Sequence, residues 1–177
     1  MRASLVIVIA LTLGGPALAR PRDKQPAPPT QAAAPHLDRS HAGQAAPGAI
    51  FLDHTGAKHR IADFTGKPVL INLWATWCAP CIAEMPALDR FAARGGGGVR
   101  VIAVSQDLAG WRAIDRFFAP RKFKAVTPYL DRDNALPLAL RAPGLPVSVL
   151  YDAHGRERWR VNGPLDWDKQ SPAALAR

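Results

Sequence analysis

Lys67-Pro68-Val69-Leu70-Ile71-Asn72-Leu73-Trp74-Ala75-Thr76-Trp77-Cys78-Ala79-Pro80-Cys81-Ile82-Ala83-Glu84-Met85-Pro86 carries the transition on which the reading of this chain turns. Residues 69–74 form an almost continuous apolar run of strand length, the pattern of a central strand covered on both faces. From Ala79 to about residue 93 the apolar residues Ile82, Met85, Leu88 and Phe91 recur at helical spacing. Both cysteines therefore sit where a buried strand gives way to a helix. Unpaired backbone N–H groups and the macrodipole favour an anion at such a helix start. The Cys78 thiol is thus expected to ionise readily, and the thiolate is the attacking species in disulfide exchange. Cys81, one turn further on, is placed to attack a mixed disulfide formed at Cys78. Pro80 falls in the first helical turn, where its missing N–H costs nothing, and Trp77 is expected to cover one side of the pair.

Outward from this segment the pattern alternates. Gly95 to Gly98 should end the helix, residues 99–104 form a second buried strand, and residues 111–118 form a helix with one apolar face. Residues 126–130 and a short helical piece over 135–140 follow. Two hairpins flank this core: residues 50–53 and 58–61 around Asp53-His54-Thr55-Gly56, and residues 147–151 and 156–161 around Asp152-Ala153-His154-Gly155. A last helix is expected to start near Asp166. Strand and helix alternation followed by an antiparallel hairpin indicates an α/β sandwich with a mixed sheet.

The ends are organised differently. Met1-Arg2, an apolar run to Leu13, the Gly14-Gly15-Pro16 breaker and Ala17-Leu18-Ala19 have the layout of a secretory signal peptide, with cleavage expected after Ala19. An apolar run this short is a poor membrane span, although left uncleaved it would act as an anchor. Residues 20–47 contain six prolines and no aromatic side chain, with Leu37 as their one large aliphatic residue. Such a stretch buries too little to offset its ordering entropy and is expected to be a flexible or extended linker, with the folded domain spanning 48–177. Export would remove only Arg2 from the charge count, so the net charge of +9 falls to +8. A basic balance suits nucleic acid, anionic membranes or acidic proteins, and export makes nucleic acid an unsuitable partner. The clusters Arg121/Lys122/Lys124 and Arg156/Arg158/Arg160 read as solvated faces, the second as an outward strand face whose charge discourages edge pairing.

The chain has only two cysteines, three positions apart. A disulfide that restrains an exported domain closes a long loop, and this pair closes one too small to hold the rest of the chain. Half of a zinc site is another use of such spacing, but a closed site needs four ligands and neither a second cysteine pair nor a tight histidine pair is present. Copper(I), which accepts two thiolates and sometimes a histidine, is the stronger competitor; His54, His59 and His154 are the candidate third ligands.

Residues 67–86 resemble the TlpA/ResA-like branch of the thioredoxin superfamily, and the likeness extends over residues 48–172 through Gly144-Leu145-Pro146 and Gly163-Pro164-Leu165-Asp166-Trp167. The resemblance implies a thioredoxin-like fold with an added N-terminal β-hairpin. It also implies an exported or membrane-anchored thiol:disulfide oxidoreductase, acting on periplasmic protein disulfides in cytochrome c maturation or copper-site assembly. Re-reduction by a membrane thiol donor would follow, with no cofactor beyond the cysteine pair. Three positions carry over. Glu84 matches the acidic residue placed near the cysteines, and helical spacing puts it one turn beyond Cys81; its implied role is proton exchange with the thiols. Asn72 stands where thioredoxins have a buried aspartate, which leaves Glu84 as the proton acceptor. Pro146 matches the superfamily's cis-proline, with Leu145 presenting backbone groups to the partner strand and Trp77 flanking the pair. Two features depart from the pattern: the last helix is short, and Pro143 lies close before Pro146.

Overall fold

The structure, a computed structural model, describes residues 37–95 and 98–175. The elements run β1 (Phe51–Leu52), β2 (Lys58–His59), β3 (Val69–Trp74), α1 (Ala79–Arg94), β4 (Arg100–Ser105), α2 (Trp111–Phe118), β5 (Thr127–Leu130), α3 (Ala135–Leu140), β6 (Val147–Tyr151), β7 (Glu157–Asn162) and α4 (Pro172–Leu175). The seven strands form one sheet in the order β2-β1-β5-β4-β3-β6-β7. Strands β3, β4 and β5 are parallel, and β6 turns the sheet antiparallel by pairing with β3. This is the expected mixed α/β architecture with an added N-terminal hairpin.

Side-chain alternation along β3 divides the interior into two layers. Leu70 and Trp74 face a cluster built on Met85, Leu88 and Phe91 of α1, with Trp159 and Trp167 behind them. Val69, Ile71 and Leu73 face Phe51, Phe64, Val149 and Tyr151 on the other side. All six β3 residues are buried, as the apolar run requires. Asn72 is the polar exception, and its place in the alternation directs it to the α1 side.

Three expectations need correction. Residues 37–47, assigned to the linker, include a segment that lies along β7: Asp38 N donates to Arg160 O at 2.8 Å, Arg160 N to Asp38 O at 2.9 Å, and Glu157 N to Gln44 O at 2.9 Å. The folded unit therefore starts ahead of Gly48. Backbone pairing with β7 holds this segment, helped by Leu37 and Ala46, which pack against the core, so its polar, proline-rich composition gave little sign of it. The remainder of the linker and the expected signal peptide lie outside the described residues.

The second correction concerns Arg156, Arg158 and Arg160. Arg160 is buried and pairs in bidentate fashion with Glu157, Nε to Oε1 at 2.6 Å and Nη2 to Oε2 at 2.7 Å, while Nη1 donates to Leu140 O at 2.7 Å. Arg156 donates to Gly43 O. A register shift between Leu150 and Tyr151 marks a bulge in the hairpin, and such a bulge breaks strict alternation. It accounts for Glu157 and Arg160 meeting although they are three positions apart. The edge is not left bare and guarded by charge; the N-terminal segment covers it.

Third, the tail does not form one helix. A 3-10 turn at Trp167–Lys169 gives way to extended backbone at Gln170 before α4. Pro172 explains the break, since the residue before a proline is driven out of helical conformation. Short as it is, α4 is tied in: Leu175 is buried, and the Trp159 indole N–H donates to its carbonyl at 3.0 Å.

Candidate active site

Cys78 is the N-cap residue of α1, in extended conformation, with Pro80 in the first turn. Its Sγ accepts the Cys81 backbone N–H at 3.3 Å, and Cys78 and Cys81 are joined in a disulfide across Cα atoms 5.3 Å apart. Cys78 retains 5% exposure and Cys81 none, so an incoming thiol or disulfide meets Cys78. No acidic residue stands in the first turn of α1 to oppose a thiolate there. The Cys81 N–H directed at the Cys78 sulfur and the helix macrodipole both favour negative charge there.

Trp77, directly before Cys78 in the chain, is 69% exposed. Leu145-Pro146 is a cis peptide bond, as the resemblance implied. The register Leu73↔Val147 places Pro146 opposite Trp74, at the end of β3 from which the cysteine loop departs. Leu145 is half-buried and touches both core layers.

Glu84 is buried on the face of α1 toward the sheet. Its Oε1 accepts from Asn72 Nδ2 at 2.9 Å and its Oε2 from the Leu165 backbone N–H at 2.9 Å. Burial pushes its carboxyl above the usual range, opposed by these two hydrogen bonds; the Trp167 indole N–H adds a weaker pull without closing a hydrogen bond. The Leu165 loop is itself tied to the cis-proline, since Gly163 N donates to Pro146 O at 2.9 Å. An open groove of about 420 Å³ runs along Pro80, Ala83, Ala87, Pro164 and Leu165, with Glu84 in its wall. Asn72 is thus joined by a hydrogen bond to Glu84, on the helix whose start carries the cysteines.

Sequence reasoning missed two contributors. Asp107, at the end of β4, is buried; its Oδ2 accepts from Thr76 N at 2.9 Å and Ser105 Oγ at 2.6 Å, and its Oδ1 accepts from Thr76 Oγ1 at 2.6 Å. This bolts the Thr76-Trp77-Cys78 loop to the sheet. The available signal was a Ser-x-Asp closing a buried parallel strand, where sites in such sheets gather. Ser148 is the second. It is a hydroxyl inside an apolar strand and lies in register with Asn72, whose Nδ2 donates to its Oγ at 3.0 Å.

The candidate copper-binding histidines lie elsewhere or stand exposed. His54 pairs with Asp115, and its ring packs on Trp111. His59 pairs with Asp53 and sits among Phe51, Phe64 and Tyr129, in the layer opposite the cysteines. His154 is exposed in the turn after β6. Among the described residues, no group of three or more His, Cys, Asp or Glu side chains gathers as a metal site.

The family model described as Redoxin matches residues 41–176. The chain belongs to the Redoxin family. Within it, the chain is 30% identical over 124 residues to the thiol-disulfide oxidoreductase ResA of Geobacillus kaustophilus (strain HTA426), spanning 70% of each sequence. It is also similar to the solved structure of a Chlorobium tepidum protein assigned as a thiol:disulfide interchange protein DsbE. That likeness has a TM-score of 0.65 and 28% identity, over 76% of this chain and 94% of that one. A secreted Mycobacterium tuberculosis disulfide oxidoreductase homologous to E. coli DsbE gives a TM-score of 0.58 and 26% identity, over 73% of this chain and 92% of that one. This Redoxin-family chain is therefore a thiol-disulfide oxidoreductase of the ResA/DsbE type with a thioredoxin-like fold.

Proposed function

We propose that the protein is exported and reduces disulfides of periplasmic proteins, of the kind that cytochrome c maturation or copper-site assembly requires. The observation that carries this reading is the position of Cys78 as N-cap of α1, its sulfur already accepting the Cys81 N–H. The layout of residues 1–19 supports export, as does likeness to a secreted oxidoreductase.

In the reduced enzyme the Cys78 thiolate attacks a partner disulfide. A Cys78–partner bond forms, the partner's S–S bond breaks, and one partner thiolate leaves. Cys81 then attacks the Cys78 sulfur, the internal disulfide forms, and the second partner thiolate leaves with the electron pair. Cys81 must lose its proton for that step, and Glu84, the buried carboxyl one turn beyond it, receives it. Trp77 and the backbone of Leu145 before Pro146 hold the partner strand beside the pair. The cycle needs no cofactor besides the cysteines, and a membrane thiol donor restores the dithiol.

The reduction potential of the Cys78/Cys81 pair in the full chain tests the direction. A value near that of thioredoxin, roughly −270 mV, is expected, whereas one near roughly −120 mV belongs to an oxidant and overturns the proposal. Tight copper(I) binding by the reduced chain, together with no exchange against protein disulfides, would instead identify a copper carrier.

A further inference from the structure

Asn72, Ser148 and Glu84 come from three different elements, and their side chains meet inside the layer between the sheet and α1. Their exposures are 0%, 1% and 6%. An amide and a hydroxyl placed in such an interior cost stability unless bonded, so their presence calls for an explanation. The amide's hydrogen bonds supply one. Both side-chain hydrogen bonds of Asn72 are donated by Nδ2, one to Glu84 Oε1 and one to Ser148 Oγ, while Oδ1 is buried with no partner among the described residues. The oxygen therefore does nothing to fix the orientation; the two acceptors fix it. Turned over, the amide would present a carbonyl to the carboxyl group, which suits a protonated Glu84 and repels an ionised one.

We propose that Ser148 is a positioning residue for the exchange reaction: by accepting from Asn72 Nδ2 it holds the amide with its donors toward Glu84, so that the carboxyl can release as well as take a proton. The proposal rests on the reading of Glu84 as the proton acceptor for Cys81. Among the described residues, the groups that act on Glu84 are Asn72 from β3, the Leu165 backbone N–H and the Trp167 indole, and Asp166 is the other ionisable residue lining the same groove. Ser148 reaches it only through Asn72. The hydroxyl also stands two positions after Pro146, so the strand that carries the partner-binding loop also carries the residue that sets the proton acceptor.

The test uses an isosteric pair in the full-length oxidised protein. Ser148→Thr keeps the hydroxyl, and Ser148→Val replaces it with a methyl group of similar shape. The readout is the titration of the Glu84 side-chain carboxyl carbon by 13C NMR. Ser148→Thr is expected to titrate as the parent does. Ser148→Val is expected to move the midpoint upward by between about half a pH unit and one, the effect of losing one net hydrogen bond from the ionised form. Thermal unfolding of each variant is recorded alongside, because lost packing lowers the melting temperature without moving the midpoint. Equal midpoints in the Val and Thr variants overturn the proposal. A Glu84→Gln variant that exchanges disulfides at the parental rate overturns the underlying role of Glu84 instead, and leaves the Val/Thr comparison to be read on its own.

Discussion

Replacing Glu84 by glutamine should separate what the carboxyl costs the fold from what it contributes to the chemistry. Burial pushes this group above the ordinary carboxylate range, so the native state holds its proton more tightly than the unfolded chain, where the midpoint is about 4.3. Below that pH both states are protonated and Glu84 imposes no charge penalty. As pH rises from the unfolded midpoint to the folded one, the unfolded chain loses its proton first. The native state then loses about 1.4 kcal/mol of stability for each pH unit separating the two midpoints. Above the folded midpoint the penalty is constant. Glutamine abolishes it and keeps an acceptor for the Leu165 N–H, and its amide can donate to the vacant Asn72 Oδ1 if that side chain turns over. Glu84→Gln in the oxidised protein is therefore expected to match the parent at low pH and to become the more stable of the two across the carboxylate range. Denaturant unfolding at a series of pH values measures this. The same variant should lose roughly a hundredfold or more in exchange rate, the usual contribution of a positioned proton acceptor. A stability difference that does not change with pH would refute the electrostatic argument. A rate within about threefold of the parent at every pH would refute the catalytic one.

Glu157→Ala leaves the buried Arg160 guanidinium without its carboxylate and should cost about 3–5 kcal/mol, measured by chemical denaturation. A cost under about 1 kcal/mol would show that the guanidinium escapes to solvent. Leu88→Ala, at a fully buried α1 position, should cost about 2–5 kcal/mol, with the redox pair still able to close. Asp107→Ala removes the acceptor for Thr76 N, Thr76 Oγ1 and Ser105 Oγ. Alkylation of Cys78 should then need a higher pH, because the loop no longer holds the sulfur at the helix start; an unchanged alkylation profile would count against this role. Trp77→Ala should slow reduction of a protein disulfide more than that of a small disulfide and leave the reduction potential unchanged, since Trp77 is an exposed residue directly before Cys78.

The parts of the fold legible in the sequence were those with strong local periodicity. Residues 69–74 and the spacing Ile82, Met85, Leu88, Phe91 located β3 and α1, and α2 and α3 occupy 111–118 and 135–140 as expected. Turn chemistry placed both hairpins. What stayed hidden depends on pairing between distant backbones. Nothing in Asp38 or Gln44 announces a bond to β7, because the donors and acceptors are main-chain groups that every residue carries. Arg160 looked like one of three solvated charges because its partner Glu157 lies three positions away, normally on the other face of a strand. The site divides in the same way. Cys78 and Cys81 stand out by type and spacing, and Glu84 by the resemblance to the TlpA/ResA-like branch. The environment of Glu84 required Leu165, 81 positions away, and Ser148 was visible only as a hydroxyl in an apolar strand until its register with Asn72 was known.

The central claim is that Cys78 attacks and Cys81 resolves. It is tested most directly by incubating reduced Cys81→Ser and Cys78→Ser variants with a disulfide-bonded protein and identifying the covalent products by mass spectrometry. Cys81→Ser should accumulate a mixed disulfide through Cys78, and Cys78→Ser, whose remaining thiol is fully buried, should accumulate little or none. Equal trapping by both variants, or trapping through Cys81 alone, would contradict the assignment of Cys78 as the nucleophile.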